Sequence, residues 1–158
     1  MKNESLKKGF ITALILAVIG YAGHALAHTA AATLDPGGNN PNATDLVQVT
    51  CYDDGDGPTD HLYVQIQDNS PPVPGLFVSA QIFKDGQMAN TTDASPGDAS
   101  ASNPIMVGTG NGLYWLSVTK TNVAGPRNFT VTYHCQTSSD VHTGTCGPGD
   151  GCGILQVQ

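Results

Sequence analysis

His28 follows Ala25-Leu26-Ala27, so a cut after that tripeptide makes it the first residue of a mature chain. A terminal histidine offers a metal two nitrogens from one residue, the α-amine and a ring nitrogen. The α-amine titrates near pH 8, so giving up its proton to a metal costs little at neutral pH. Amine and imidazole nitrogens suit Cu(II) in tetragonal geometry. A second candidate lies in Ser138-Ser-Asp140-Val-His142. In an extended segment Asp140 and His142 point to the same side, within reach of one ion. His134 and His61 are further candidate imidazoles, although each sits where a strand residue is expected to face solvent. Met88 and Met106 are soft sulfur donors of the kind Cu(I) accepts.

The run Asp53-Asp-Gly-Asp-Gly-Pro-Thr-Asp60 offers a different metal chemistry. Asp53, Asp54, Asp56 and Asp60 in a glycine-bearing turn could bind calcium through oxygen. The alternation is not that of an EF-hand, and no glutamate closes it at the twelfth position. A solvated acidic turn between strands is the simpler expectation. No catalytic constellation emerges: there is no Gly-x-Ser-x-Gly elbow, no phosphate-binding glycine loop, and the cysteines are expected to be oxidised. Asn42, Asn90 and Asn128 head glycosylation sequons, which matter only in a host that uses them.

The chain start explains how His28 could become terminal. Lys2, Lys7 and Lys8 precede an apolar run from Phe10 to Ala22 and then the small-x-small exit at 25–27. These are the parts of a secretory signal peptide over residues 1–27. The run is shorter than the roughly 20 residues a membrane span needs, so no membrane insertion is expected after processing. Removing the leader takes three of the six basic residues and one of the 13 acidic ones, Glu4. The remainder carries a net charge of about −9. That surface repels nucleic acid and anionic lipid, so neither is an expected partner. It attracts cations, and a metal ion is the partner considered first, although solubility alone would account for the charge equally well. Self-assembly and a protein partner for metal exchange are the others considered. The destination is the periplasm or the extracellular space.

All four cysteines lie beyond the leader. An even count in an exported chain argues for two disulfides. Three pairings are possible. Cys51–Cys135 with Cys146–Cys152 is favoured, because the second pair brackets the sharply turning Gly147-Pro-Gly-Asp-Gly151.

Alternation with period two dominates, and no amphipathic helix is evident. Strands are expected at 46–51, 61–67, 76–83, 112–119, 128–135 and 154–157. In the fourth of these Leu113, Trp115 and Ser117 are expected inward. In the fifth Phe129, Val131, Tyr133 and Cys135 are expected inward, with His134 outward. Residues 89–104, rich in Ala, Ser, Thr and Asp, are expected to form a mobile loop, and Asp85-Gly86 a hairpin turn. Together these elements make residues 28–158 one small, disulfide-bonded, all-β domain, an immunoglobulin-like β-sandwich of Greek-key type.

The terminal histidine and the segment Phe129-Thr-Val-Thr-Tyr133-His-Cys-Gln-Thr-Ser138-Ser-Asp140-Val-His142 resemble the periplasmic copper-resistance protein C (CopC-like) family. That family joins a small β-sandwich to an aromatic residue followed by Ser-x-Asp-x-His. The resemblance implies copper binding with His28, Asp140 and His142 as ligands. Here the aromatic-to-histidine spacing is one residue longer, Val141 stands where the family has a small glycine, and the disulfides are atypical. The function expected is copper binding, transport or storage without catalysis. The alternative is a structural or adhesive module, such as a surface-fibre subunit.

Overall fold

The computed structural model describes residues 28–146 and 152–158. The proposed leader and the 147–151 turn lie outside them. Among the described residues ten strands account for the regular structure: β1 His28–Leu34, β2 Thr44–Tyr52, β3 His61–Asp68, β4 Val78–Lys84, β5 Gln87–Asp93, β6 Ile105–Val107, β7 Gly112–Lys120, β8 Arg127–Gln136, β9 His142–Thr145 and β10 Gly153–Gln156. Every pairing is antiparallel. One layer runs β6-β3-β8-β1 and the other β5-β4-β7-β2-β10. Short β9 pairs with β8 through His142 and Thr143 and with β2 through Gly144 and Thr145. It therefore stitches the layers into one sandwich- or barrel-like sheet. No helix occurs among the described residues.

Alternation produces the core. Leu62, Val64 and Ile66 of β3 are fully buried, as are Val49 of β2 and Val78, Ala80 and Ile82 of β4. Each set occupies one parity, the face a pleated strand turns inward. The β4–β5 hairpin turns through Asp85 and Gly86 at φ 49° and 80°. Two positive φ values are what the two-residue type I′ turn demands, hence Asp-Gly.

Cys51 and Cys135 are bonded across the core with their Cα atoms 5.6 Å apart, and Cys146 is bonded to Cys152. Both bridges match the favoured pairing. No cysteine is free among the described residues, which fits an oxidising compartment.

Three expectations are corrected. In β7 the inward set is Tyr114, Leu116 and Val118, not Leu113, Trp115 and Ser117. Both parities of this strand are largely apolar, and Val118 set against Ser117 decides between them. The expected 89–104 loop begins as strand, since residues 89–93 belong to β5. Beyond it the chain is tied down: Gly97 N–H donates to Asp68 O at 2.8 Å, Ser102 N–H to Ile66 O at 2.8 Å, and Thr91 Oγ1 to Asn103 O at 2.7 Å. The third correction concerns His61 and His134, both buried rather than solvated.

Every cation beyond the proposed leader is buried and matched. Lys120 donates to Asp35 Oδ2 at 2.6 Å. Arg127 pairs with Asp68 through Nε and Nη2, and its Nη1 donates to Pro71 O at 2.6 Å. Lys84 donates to the carbonyls of Thr109, Gly110 and Asn111 at 2.7–3.1 Å, with its ammonium 4.7 Å from the Tyr114 ring centre. Burial of Asp35 raises its pKa, but the Lys120 ammonium and the N–H groups of Asn40, Gly125 and Asn39 outweigh that. They hold the carboxyl well below the ordinary carboxylate range.

Candidate metal centre

The outward parity of β8 carries His134, and Tyr63 lies directly opposite it on β3. Directly opposed side chains on one face of a sheet touch. The Tyr63 and His134 rings stack with centres 4.5 Å apart. On the other side β9 places His142 opposite Gln136, which makes His142 the diagonal neighbour of His134 on the same face. Those two imidazoles stack at 4.0 Å with 24° between their planes. Covered from both sides, His134 retains 6% of its exposure despite its outward parity.

Gly144 makes room for this arrangement. A Cβ there would sit 2.6 Å from the Tyr52 ring, whose strand pairs with β9 at that point. A side chain at position 144 must push Tyr52 away from β9. Gly144→Ala is expected to destabilise the fold by about 1–3 kcal/mol, read from the shift in urea midpoint.

The Nδ1 atoms of His134 and His142 are buried and have no hydrogen-bond partner. Buried ring nitrogens without partners are rare, because desolvation is then uncompensated. His61 differs. Its Nδ1 lies 3.0 Å from Asp60 Oδ2 and its Nε2 2.8 Å from Gln136 Oε1, so both nitrogens are engaged within the protein.

His28 begins β1 and pairs with Tyr133, its ring 6.0 Å from the Tyr133 ring. It is exposed. β1 and β9 follow one another along the same edge of β8: β1 reaches Tyr133, and β9 takes over at Cys135. His134 lies on β8 between these two pairings. Its pKa reflects that crowding. Burial foremost, then the neighbouring imidazoles of His142, His28 and His61, push it down to about 4. His134 is therefore a neutral imidazole at pH 7, with a lone pair to offer.

The unfolded chain binds a proton at this histidine near pH 6.5, and the native chain does not until about pH 4. The stability tied to a neutral His134 is thus complete above pH 6.5 and falls as the pH drops toward 4. The loss amounts to roughly 3 kcal/mol. Urea unfolding at pH 7, 5.5 and 4.5 should show it, with a flatter profile over that interval in His134→Gln.

Asp140 does not sit as an extended segment would place it. It has φ 59°, in a turn where Asp140 N–H donates to Thr137 O and Thr137 N–H to Val141 O. Its exposed carboxylate lies 3.8 Å from His61 Nε2. The strand begins only at His142, so the alternation argument that joined Asp140 to His142 does not apply.

In the acidic turn, Asp53 Oδ1 accepts N–H bonds from Gly55 and Gly57, while Asp54 Oδ1 accepts from Asp56 N–H and the Thr143 hydroxyl. Asp60 faces His61. Met88 and Met106 are exposed, Met106 opposite Tyr63 on β6. Among the described residues, no three His, Cys, Asp or Glu side chains are already gathered around a common point as ligands. What the fold supplies is a preformed pair of imidazoles. No protein-family model, curated protein or solved structure matches the chain.

Proposed function

We propose that the exported, processed chain binds copper at the His134–His142 pair, completed by the terminal amine of His28. The observation that carries this reading is the stacked pair itself, with two buried Nδ1 atoms that nothing in the described protein satisfies. Imidazole and amine nitrogens are the donors Cu(II) prefers. Beginning the chain at His28 would put a free amine at the start of β1, on the β8 edge that also holds β9. In this reading Asp140 is a companion of His61, and the function is binding, transport or storage in the periplasm or outside the cell. Kinship with the CopC-like family and with immunoglobulin-like sandwiches belongs to the same reading. The immunoglobulin-like part is supported by the Cys51–Cys135 bridge across the core and by Tyr133 two residues before its second cysteine.

The test is to sequence the amino terminus of the exported protein and titrate it with Cu(II) under electron paramagnetic resonance. One equivalent with nitrogen hyperfine structure is expected. Affinity should fall at least tenfold in His142→Ala and in His134→Ala, and equally when one residue is added before His28. A mature chain starting elsewhere, or affinity indifferent to all three changes, refutes the reading.

The structural or adhesive alternative has one observation in its favour. The outer edge of β1 has no partner among the described residues, and its sequence, His-Thr-Ala-Ala-Ala-Thr-Leu, lacks the charge or proline that usually guards such an edge. Concentration-dependent assembly without metal, seen by sedimentation, would favour it.

A further inference from the structure

On one side of the sandwich β1 borders one layer and β10 the other, and the two strands do not pair. β9 joins the layers above this seam. Below it the strands meet again, where Asp35 N–H donates to Gln158 O at 2.6 Å and Asn40 Nδ2 to Gln158 Oε1 at 3.0 Å. Between these closures lies a cavity of about 200 Å³. Leu116, Val118 and Val131 form part of its lining, with exposed Ala32 on one rim and exposed Ile154 and Val157 on the other. An apolar cavity of ~150 Å³ already accommodates benzene.

One carboxylate breaks this apolar lining. Asp45 occupies the inward parity of β2, lines the cavity and is 5% exposed. Its Oδ1 accepts one hydrogen bond, from Gln158 N–H at 2.9 Å, and no other partner exists among the described residues. The buried Asp35 and Asp68 are each paired with a cation, whereas Asp45 is not. Lys84, Lys120 and Arg127 are all engaged elsewhere. Burial accordingly raises the Asp45 pKa. A buried carboxyl without a counter-charge is costly unless something satisfies it.

We propose that this cavity is a binding site for a small organic cation, a primary amine on an aromatic or branched aliphatic body. The apolar body packs against Val118 and Val131, and the ammonium meets the free side of the Asp45 carboxylate. The Phe129 and Tyr133 rings in the same lining add faces that attract a cation. The acidic surface concentrates cations around the mouth. This site is independent of the copper reading.

The test uses the exported protein, methyl-labelled with ¹³C and titrated with benzylamine and its neutral isostere benzyl alcohol. Saturable shifts are expected at Val118, Val131 and Ile154, with benzylamine at least tenfold tighter and that preference lost in Asp45→Asn. Should Asp45→Asn not fold, Ala32→Trp on the exposed rim closes the mouth and is expected to abolish the shifts. Absence of saturable shifts overturns the proposal. So does equal affinity for amine and alcohol, or binding that survives Ala32→Trp unchanged.

Discussion

Asp68→Ala is expected to destabilise the domain by about 3–5 kcal/mol, because it strands a guanidinium inside the protein. Arg127 retains 3% of its exposure, and Asp68 is its anionic partner. Without that carboxylate, Arg127 keeps carbonyl contacts to Pro71 and Ser70 but no counter-charge. Asp68 also accepts the Ser70 N–H at 2.9 Å, so the turn after β3 loosens as well. The urea midpoint should drop with little change in slope. The double variant Asp68→Leu with Arg127→Met removes both charges together and is expected to recover much of the loss. A double variant as unstable as the single one would show that the local hydrogen bonds, rather than the stranded charge, dominate.

The second large effect concerns the disulfides, and their ranking is the measurement. Cys51–Cys135 closes 84 residues, and Cys146–Cys152 closes six. On the chain-entropy account, removing the first costs about 4.5 kcal/mol and removing the second about 2 kcal/mol. Against a typical total of 5–15 kcal/mol the first is a large fraction. The long bridge also ties β2 to β8 between two fully buried sulfurs. Paired Cys→Ala variants followed by thermal unfolding should rank in that order, and the reverse order would refute the account.

The strands that build the core announce themselves in the sequence, and those at the edges do not. In β3 the set Leu62, Val64 and Ile66 alternates cleanly, because one face is buried and the other is polar. β1 and β5 have no such contrast: β1 is exposed for most of its length, and β5 reads Gln-Met-Ala-Asn-Thr-Thr-Asp. β9 is four residues long, and its position is fixed by partners on two different layers, which no local pattern encodes.

The candidate site divides along the same line. The outward parity of His134 is readable from β8, and so is that of Tyr63 from β3. The burial of His134 is not, because it depends on β9 bringing His142 across the face. Asp140 shows the opposite error. Alternation placed it beside His142, but a left-handed turn ends just before the strand starts. The cysteine pairing was legible because Cys146 and Cys152 bracket a sharply turning segment, which leaves Cys51 and Cys135, both on the apolar parity of their strands.

The burial of Lys84 and Lys120 has a practical consequence for chemistry done on the folded protein. They are the sole lysines from His28 onward, and both ammonium groups are enclosed and hydrogen-bonded. In a folded chain that begins at His28, an amine-directed reagent such as an activated ester has one accessible target, the terminus. Such a reagent tags the terminal nitrogen selectively, and its slower reaction at the two lysines becomes a clock for global opening.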